Sequence, residues 1–162
     1  MLCVSPSLPR FSHLALHCLG PAPPRLLLLS LQTNLSSPLL SLDPHPSLTS
    51  LASSLALPSP HLLSIPLSPG HLEARLLLPP QSREDSQVSL QPVLLLLPTD
   101  PGLQEATSRW RVDLASLLSA RLGAMVLQVD GRGSGGRGEA WREGLRGELA
   151  RRDLQDQIHA LR

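Results

Sequence analysis

Apolar and polar positions alternate in two different ways along this chain, and the change falls near Gly70. After Gly70 the apolar residues come in short runs at spacings that specify elements. Leu72–Leu78 and Val93–Leu97 are apolar runs bounded by Pro and polar residues, as buried strands are. Val93–Leu97 lacks alternation, which predicts a strand covered on both faces of its sheet. A polar loop, Gln81–Ser89, separates the two runs, and Pro98-Thr99-Asp100-Pro101-Gly102 reads as a turn. Trp110, Leu114, Leu117, Leu118 and Leu122 recur at helical spacing and predict a helix over Ser108–Leu122 with those residues as its buried stripe. Gly123 is placed as its stop. Ala124–Val129 predicts a third strand. Glu139–Leu161, carrying Trp141, Leu145, Leu149, Leu154, Ile158 and Leu161, predicts a last helix. The order strand, strand, helix, strand, helix is that of an α/β domain.

Before Gly70 the pattern is of another kind. Residues 1–70 hold 21 Leu and 12 Pro with a single acid, Asp43. Each Pro removes a backbone donor and disfavours helix in the residue before it. Apolar runs such as Leu26–Leu29 are too short for a core helix. No window approaches the roughly 20 apolar residues that span a bilayer without meeting Pro or Arg. A signal peptide also fits poorly, because no clean small-residue cleavage site follows His13–Leu19. The expectation is a disordered Leu/Pro/Ser-rich segment over residues 1–70, possessing the character of translated intron or leader sequence, and a folded domain over residues 71–162. Asn34-Leu35-Ser36 is a glycosylation sequon that matters only in a secreted chain.

Composition narrows the chemistry. The net charge is +1, so no electrostatic case exists for nucleic acid or an anionic membrane. Arg carries all the positive charge, as the chain has no Lys. Cys3 and Cys18 lack CxxC spacing or an adjoining His or acid cluster; they are read as incidental free thiols and not as a metal site.

The segment richest in information is Asp130-Gly-Arg-Gly-Ser-Gly-Gly-Arg-Gly138, between the third strand and the last helix. Its Gly131-x-Gly133-x-x-Gly136 spacing is that of a dinucleotide loop. Such a site also needs an acid at the end of a second strand, and Asp153 and Asp156 lie in a helical pattern instead. A P-loop needs a Lys, and Gly-Arg-Gly without interleaved aromatics is a poor RNA motif. Ser134 lies in Gly133-Ser134-Gly135, but a nucleophile elbow would need Gly where Arg132 stands. His159 falls on the exposed side of the last helix and reads as a solvated residue, not a base. The plain reading is a tight strand-to-helix connection whose Arg132 pairs inside the domain.

Asp130-Gly131-Arg132-Gly133-Ser134-Gly135 resembles an element of the dipeptidyl-peptidase branch of the prolyl oligopeptidase family. The family follows it with an aromatic, a Gln and a Gly, where this chain has Gly136, Arg137 and Gly138. Leu149 falls at the Leu of the family's Arg-Arg-Leu-Gly segment. Asp156-Gln157-Ile158, Ala160 and Arg162 resemble its Asp-Gln-Ile/Met-x-Ala-x-Arg. Pro101-Gly102 stands at the family's distance upstream, and Leu76–Pro80 resembles the domain's first strand. The resemblance covers residues 71–162, and nothing before Gly70 resembles the family's β-propeller.

The resemblance implies an α/β fold, specifically the N-terminal fragment of an α/β-hydrolase domain, in a family that cleaves peptides with Pro or Ala second from the N-terminus. The family's catalytic Ser, Asp and His would all lie beyond Arg162, so the chain itself is expected to have no activity. Active members carry a Tyr whose hydroxyl stabilises the oxyanion. In this register Pro98 stands there, and Pro has no donor. That places the chain nearer the non-catalytic dipeptidyl-aminopeptidase-like proteins, which resemble auxiliary subunits of voltage-gated potassium channels. By resemblance the parent would be a dimeric, membrane-tethered ectodomain at the plasma membrane, partnered with channel subunits. An active serine dipeptidyl peptidase, seen in part, is the alternative. No cofactor, metal, nucleotide or nucleic acid is implied.

Overall fold

The computed structural model describes residues 2–4, 13–30, 40–42, 45–68, 70–80, 91–98 and 100–162. They divide into two compact units, one of residues 1–56 with 108–111 and one of residues 57–107 with 112–162.

In the first unit, strands β1 (Leu2–Val4), β2 (His13–Gly20), β3 (Arg25–Ser30) and β4 (Leu40–Ser41) form an antiparallel sheet in sequential order. A helix, α1 (Pro46–Ser54), follows with Pro at its start, where a missing amide costs nothing. The expectation that residues 1–70 lack folded architecture is therefore corrected over the described residues. The leucine runs are too short for helices yet match the length of strands, and the prolines fall between them as punctuation. Cys18 is disulfide-bonded, not a free thiol, and the β1–β2 register sets the backbones of Cys3 and Cys18 opposite each other. The sequon at Asn34-Leu35-Ser36 lies outside the described residues, as does the polar loop at Gln81–Ser89.

The second unit is built on a mixed sheet of β5 (Ser59–Pro66), β6 (His71–Leu78), β7 (Val93–Leu96) and β8 (Met125–Asp130), in the order β5-β6-β8-β7. β5 and β8 both pair antiparallel with β6, while β7 runs parallel to β8. The α/β unit thus begins near Leu57 and not at residue 71, because β5 supplies the first strand. Helix α2 (Leu114–Leu122) makes the crossover between the two parallel strands; the Asp113 carboxylate accepts from the Ser116 amide at 3.0 Å to cap it, and Gly123 ends it.

Helices lie on both faces of this sheet. On one, Leu77 and Val126 pack with Ala115 of α2 and Leu118 beside it. On the other, Leu72, Ala74, Leu127 and Val129 pack with Trp141 and Ala160. Arg75 and Gln128, opposite each other in the β6–β8 register, are both buried, and their side chains join at 3.0 Å. Gln128 in turn donates to the Glu105 carboxylate at 3.3 Å, which spreads the buried charge over a polar chain.

Three sequence expectations change here. β7 is half-buried and not covered on both faces, since it is an edge strand of its sheet. The predicted stripe of the 108–122 helix is mostly turned outward, with Leu118 alone of its helical leucines packed on the sheet. Ala115, Ser116 and Ser119 face in, while Leu114, Leu117 and Leu122 are exposed; small side chains let α2 lie close to the sheet. Residues 108–111 precede the helix, and the Trp110 amide donates to the Leu19 carbonyl at 2.8 Å in the first unit. The single last helix is three pieces: α3 (Glu139–Arg142), a 3-10 turn (Glu143–Leu145) and α4 (Arg151–Ala160). Gly144 and Gly147 weaken the helix between them, and Leu145 is drawn inward to 7% exposure.

Leu72, fully buried at the centre of one face, should cost about 2–5 kcal/mol of unfolding free energy when changed to Ala, read by chemical denaturation. A loss well under 1 kcal/mol would contradict the packing described.

Candidate functional site

The glycine-rich segment leaves the carboxyl end of β8 and is tied at several points to the elements around it. Asp130, 2% exposed, accepts the Glu105 amide at 2.8 Å on one carboxylate oxygen and the Ala106 amide at 3.0 Å on the other. That fixes the segment leaving the turn after β7. Arg132 reaches the other way. Its guanidinium meets Asp156 of α4 along both edges, Nη2 to Oδ1 at 2.6 Å and Nε to Oδ2 at 3.0 Å, and its amide donates to Oδ2 at 2.8 Å. Asp156 is 1% exposed in its side chain, whereas Arg132 keeps 28%. The hydrogen bonds that Arg132 donates to Asp156 raise its own pKa above the already high ordinary value, so the guanidinium stays charged. Gln157, the next residue, is also buried and donates to the Val129 carbonyl at 3.0 Å.

Gly133 and Gly135 are required by close approach. Gly133 has φ 89°, and a Cβ there would overlap the Leu145 side chain. At Gly135 a Cβ would collide with the Gly102 carbonyl. These approaches let the two loops bond backbone to backbone, Gly102 N to Gly133 O at 2.8 Å and Gly135 N to Leu103 O at 3.0 Å. The Trp141 indole donates to the Gly131 carbonyl at 3.0 Å and to the Ser134 hydroxyl at 3.2 Å. Arg137, at a position where the resemblance would place Gln, stacks 3.8 Å over the Trp141 ring. Gln104 lies against Gly136, where the resemblance would place an aromatic.

The amides of Arg132, Gly133, Ser134 and Gly135 all donate within the fold. A phosphate cradle needs such amides pointing at a ligand, so these four do not form one. Ser134 accepts the indole hydrogen and belongs to the loop's packing. His159 is exposed, with a ring nitrogen 2.8 Å from the Pro66 carbonyl. Among the described residues no group of three or more His, Cys, Asp or Glu could hold a metal ion.

Together the two loops wall a cleft of about 180 Å³, lined by Pro98, Pro101, Leu103, Asp130, Arg132, Asp153 and neighbours. It opens at the carboxyl ends of the parallel strands β7 and β8, where open α/β sheets bind their ligands. Pro98, which the resemblance sets at the family's oxyanion position, is on its wall. The structure thus brings together Pro98, Asp130, Gly131, Arg132, Gly133 and Ser134, with Asp156 behind Arg132. Gly135 and Gln157 serve the same joint from outside the cleft. The contributions of Glu105, Ala106 and Leu145 were not read from the sequence, since two of them act through backbone amides and carry no side-chain signal.

Residues 110–162 match the model of the prolyl oligopeptidase family. The probable dipeptidyl-aminopeptidase B of Coccidioides posadasii is 36% identical over 118 residues, which is 73% of this chain and 12% of that protein. Its namesake in Trichophyton verrucosum is 31% identical over 154 residues, 93% of this chain and 17% of that one. Among solved structures, dipeptidyl peptidase 4 of Porphyromonas gingivalis superposes over 98% of this chain and 22% of its own, with a TM-score of 0.82 at 21% identity. The acylaminoacyl peptidase of Pyrococcus horikoshii does so over 92% of this chain and 22% of its own, with a TM-score of 0.67 at 17% identity. A match over 98% of the chain takes in residues before Gly70, so the likeness reaches further forward than residues 71–162.

Asp156→Ala leaves Arg132 without its partner and is expected to cost about 3–5 kcal/mol of stability in chemical denaturation; a change under 1 kcal/mol would contradict the pairing. Glu148, bonded to Arg152 at 2.8 Å, has its pKa lowered from 4.5, first by that hydrogen bond. A depressed carboxylate stabilises the fold above its unfolded pKa and loses that contribution as pH falls through the folded one. Stability should therefore decline on acidification below about 4.5 by an increment absent from Glu148→Gln, measured as the difference between the two pH–stability curves.

Proposed function

We propose that this chain, whose residues 110–162 match the prolyl oligopeptidase family model, is part of a non-catalytic, dipeptidyl-peptidase-like protein. It spans 12% and 17% of the two relatives described. One observation carries the reading. Pro98, on the wall of the cleft at the carboxyl end of β7, occupies the register position at which active members hold the oxyanion-stabilising Tyr. An oxyanion is stabilised by a preorganised donor, and loss of one such donor costs about 10²–10³-fold in turnover. Pro offers neither a side-chain donor nor an amide hydrogen.

The role that suits such a protein is recognition without hydrolysis. By resemblance, the parent is a membrane-tethered, dimeric ectodomain at the plasma membrane that modulates a voltage-gated potassium channel. The Pro101-Gly102 pair supports the same branch. Among the described residues no helix is long and apolar enough to cross a membrane.

A second reading rests on the relatives, which bear the name dipeptidyl-aminopeptidase. On that reading the parent removes N-terminal dipeptides ending in Pro or Ala, with a serine nucleophile outside this segment.

The full-length parent, assayed on a Gly-Pro chromogenic substrate, should show no turnover that a serine-directed inhibitor abolishes. Co-expressed with a voltage-gated potassium channel, it should alter the channel's inactivation kinetics. Robust inhibitor-sensitive turnover would overturn the non-catalytic reading in favour of the second. Unchanged channel currents alongside absent turnover would remove the channel role alone.

A further inference from the structure

We draw no further inference here: the strongest candidate, the exposed apolar rows of α2 (Leu114, Leu117, Leu122) and α4 (Leu154, Ile158), carries none, because nothing in the structure shows what covers them.

Discussion

A carboxylate taken out of water must find donors, and in this molecule two such carboxylates organise everything around the cleft. Asp130 ends the central strand at 2% exposure and Asp156 sits in α4 at 1%. Leaving either charge unpaired would cost several kcal/mol. Asp130 takes the Glu105 and Ala106 amides, and Asp156 takes the guanidinium and amide of Arg132. The first fixes the connection after β7; the second fixes α4. With both ends held, the glycines between them can approach Leu145 and Gly102 closely without the loop being loose. The Asp-Gly-Arg-Gly-Ser-Gly element is thus a joint connecting strand, turn and helix, and the cleft wall that carries Pro98 belongs to the turn it holds.

This arrangement has a consequence for α4. Burying Asp156 and Gln157 turns the helix so that its polar side meets the sheet, and Leu154 and Ile158 are left exposed. An amphipathic stripe ordinarily faces the core. Here directional hydrogen bonds set the rotation instead, because an unpaired buried charge is worse than an exposed leucine. α2 makes a related choice through size, presenting Ala115, Ser116 and Ser119 to the sheet.

These two rotations mark where the sequence stops being legible. The strands were readable because Leu72–Leu78, Val93–Leu97 and Ala124–Val129 are compact apolar runs, and each lies within a residue of an observed strand. The pairing of Arg132 inside the domain was readable in kind, as a tight loop with one charged residue invites it. Its partner was not derivable from periodicity, which marks apolar positions such as Leu154 and Ile158 and says nothing of which carboxylate a buried Arg will meet. The strands before residue 57 were hidden by proline content, which mimics disorder when leucine runs and turns are both short. β5 was hidden for the same reason, with Pro58, Pro60 and Pro66 around it, a tolerable composition only for an edge strand.

The likeness of fold to the solved peptidases is consistent with this joint being shared architecture, while the bearing of Pro98 on chemistry belongs to the proposed function. The account depends on Asp130 holding the Glu105 and Ala106 amides, and native-state hydrogen exchange tests that directly. Both amides should exchange far more slowly than an unprotected loop amide, with protection approaching that of the β8 strand itself. Exchange of both at the rate of free loop amides would contradict the account, since the turn would then be held by something other than the motif.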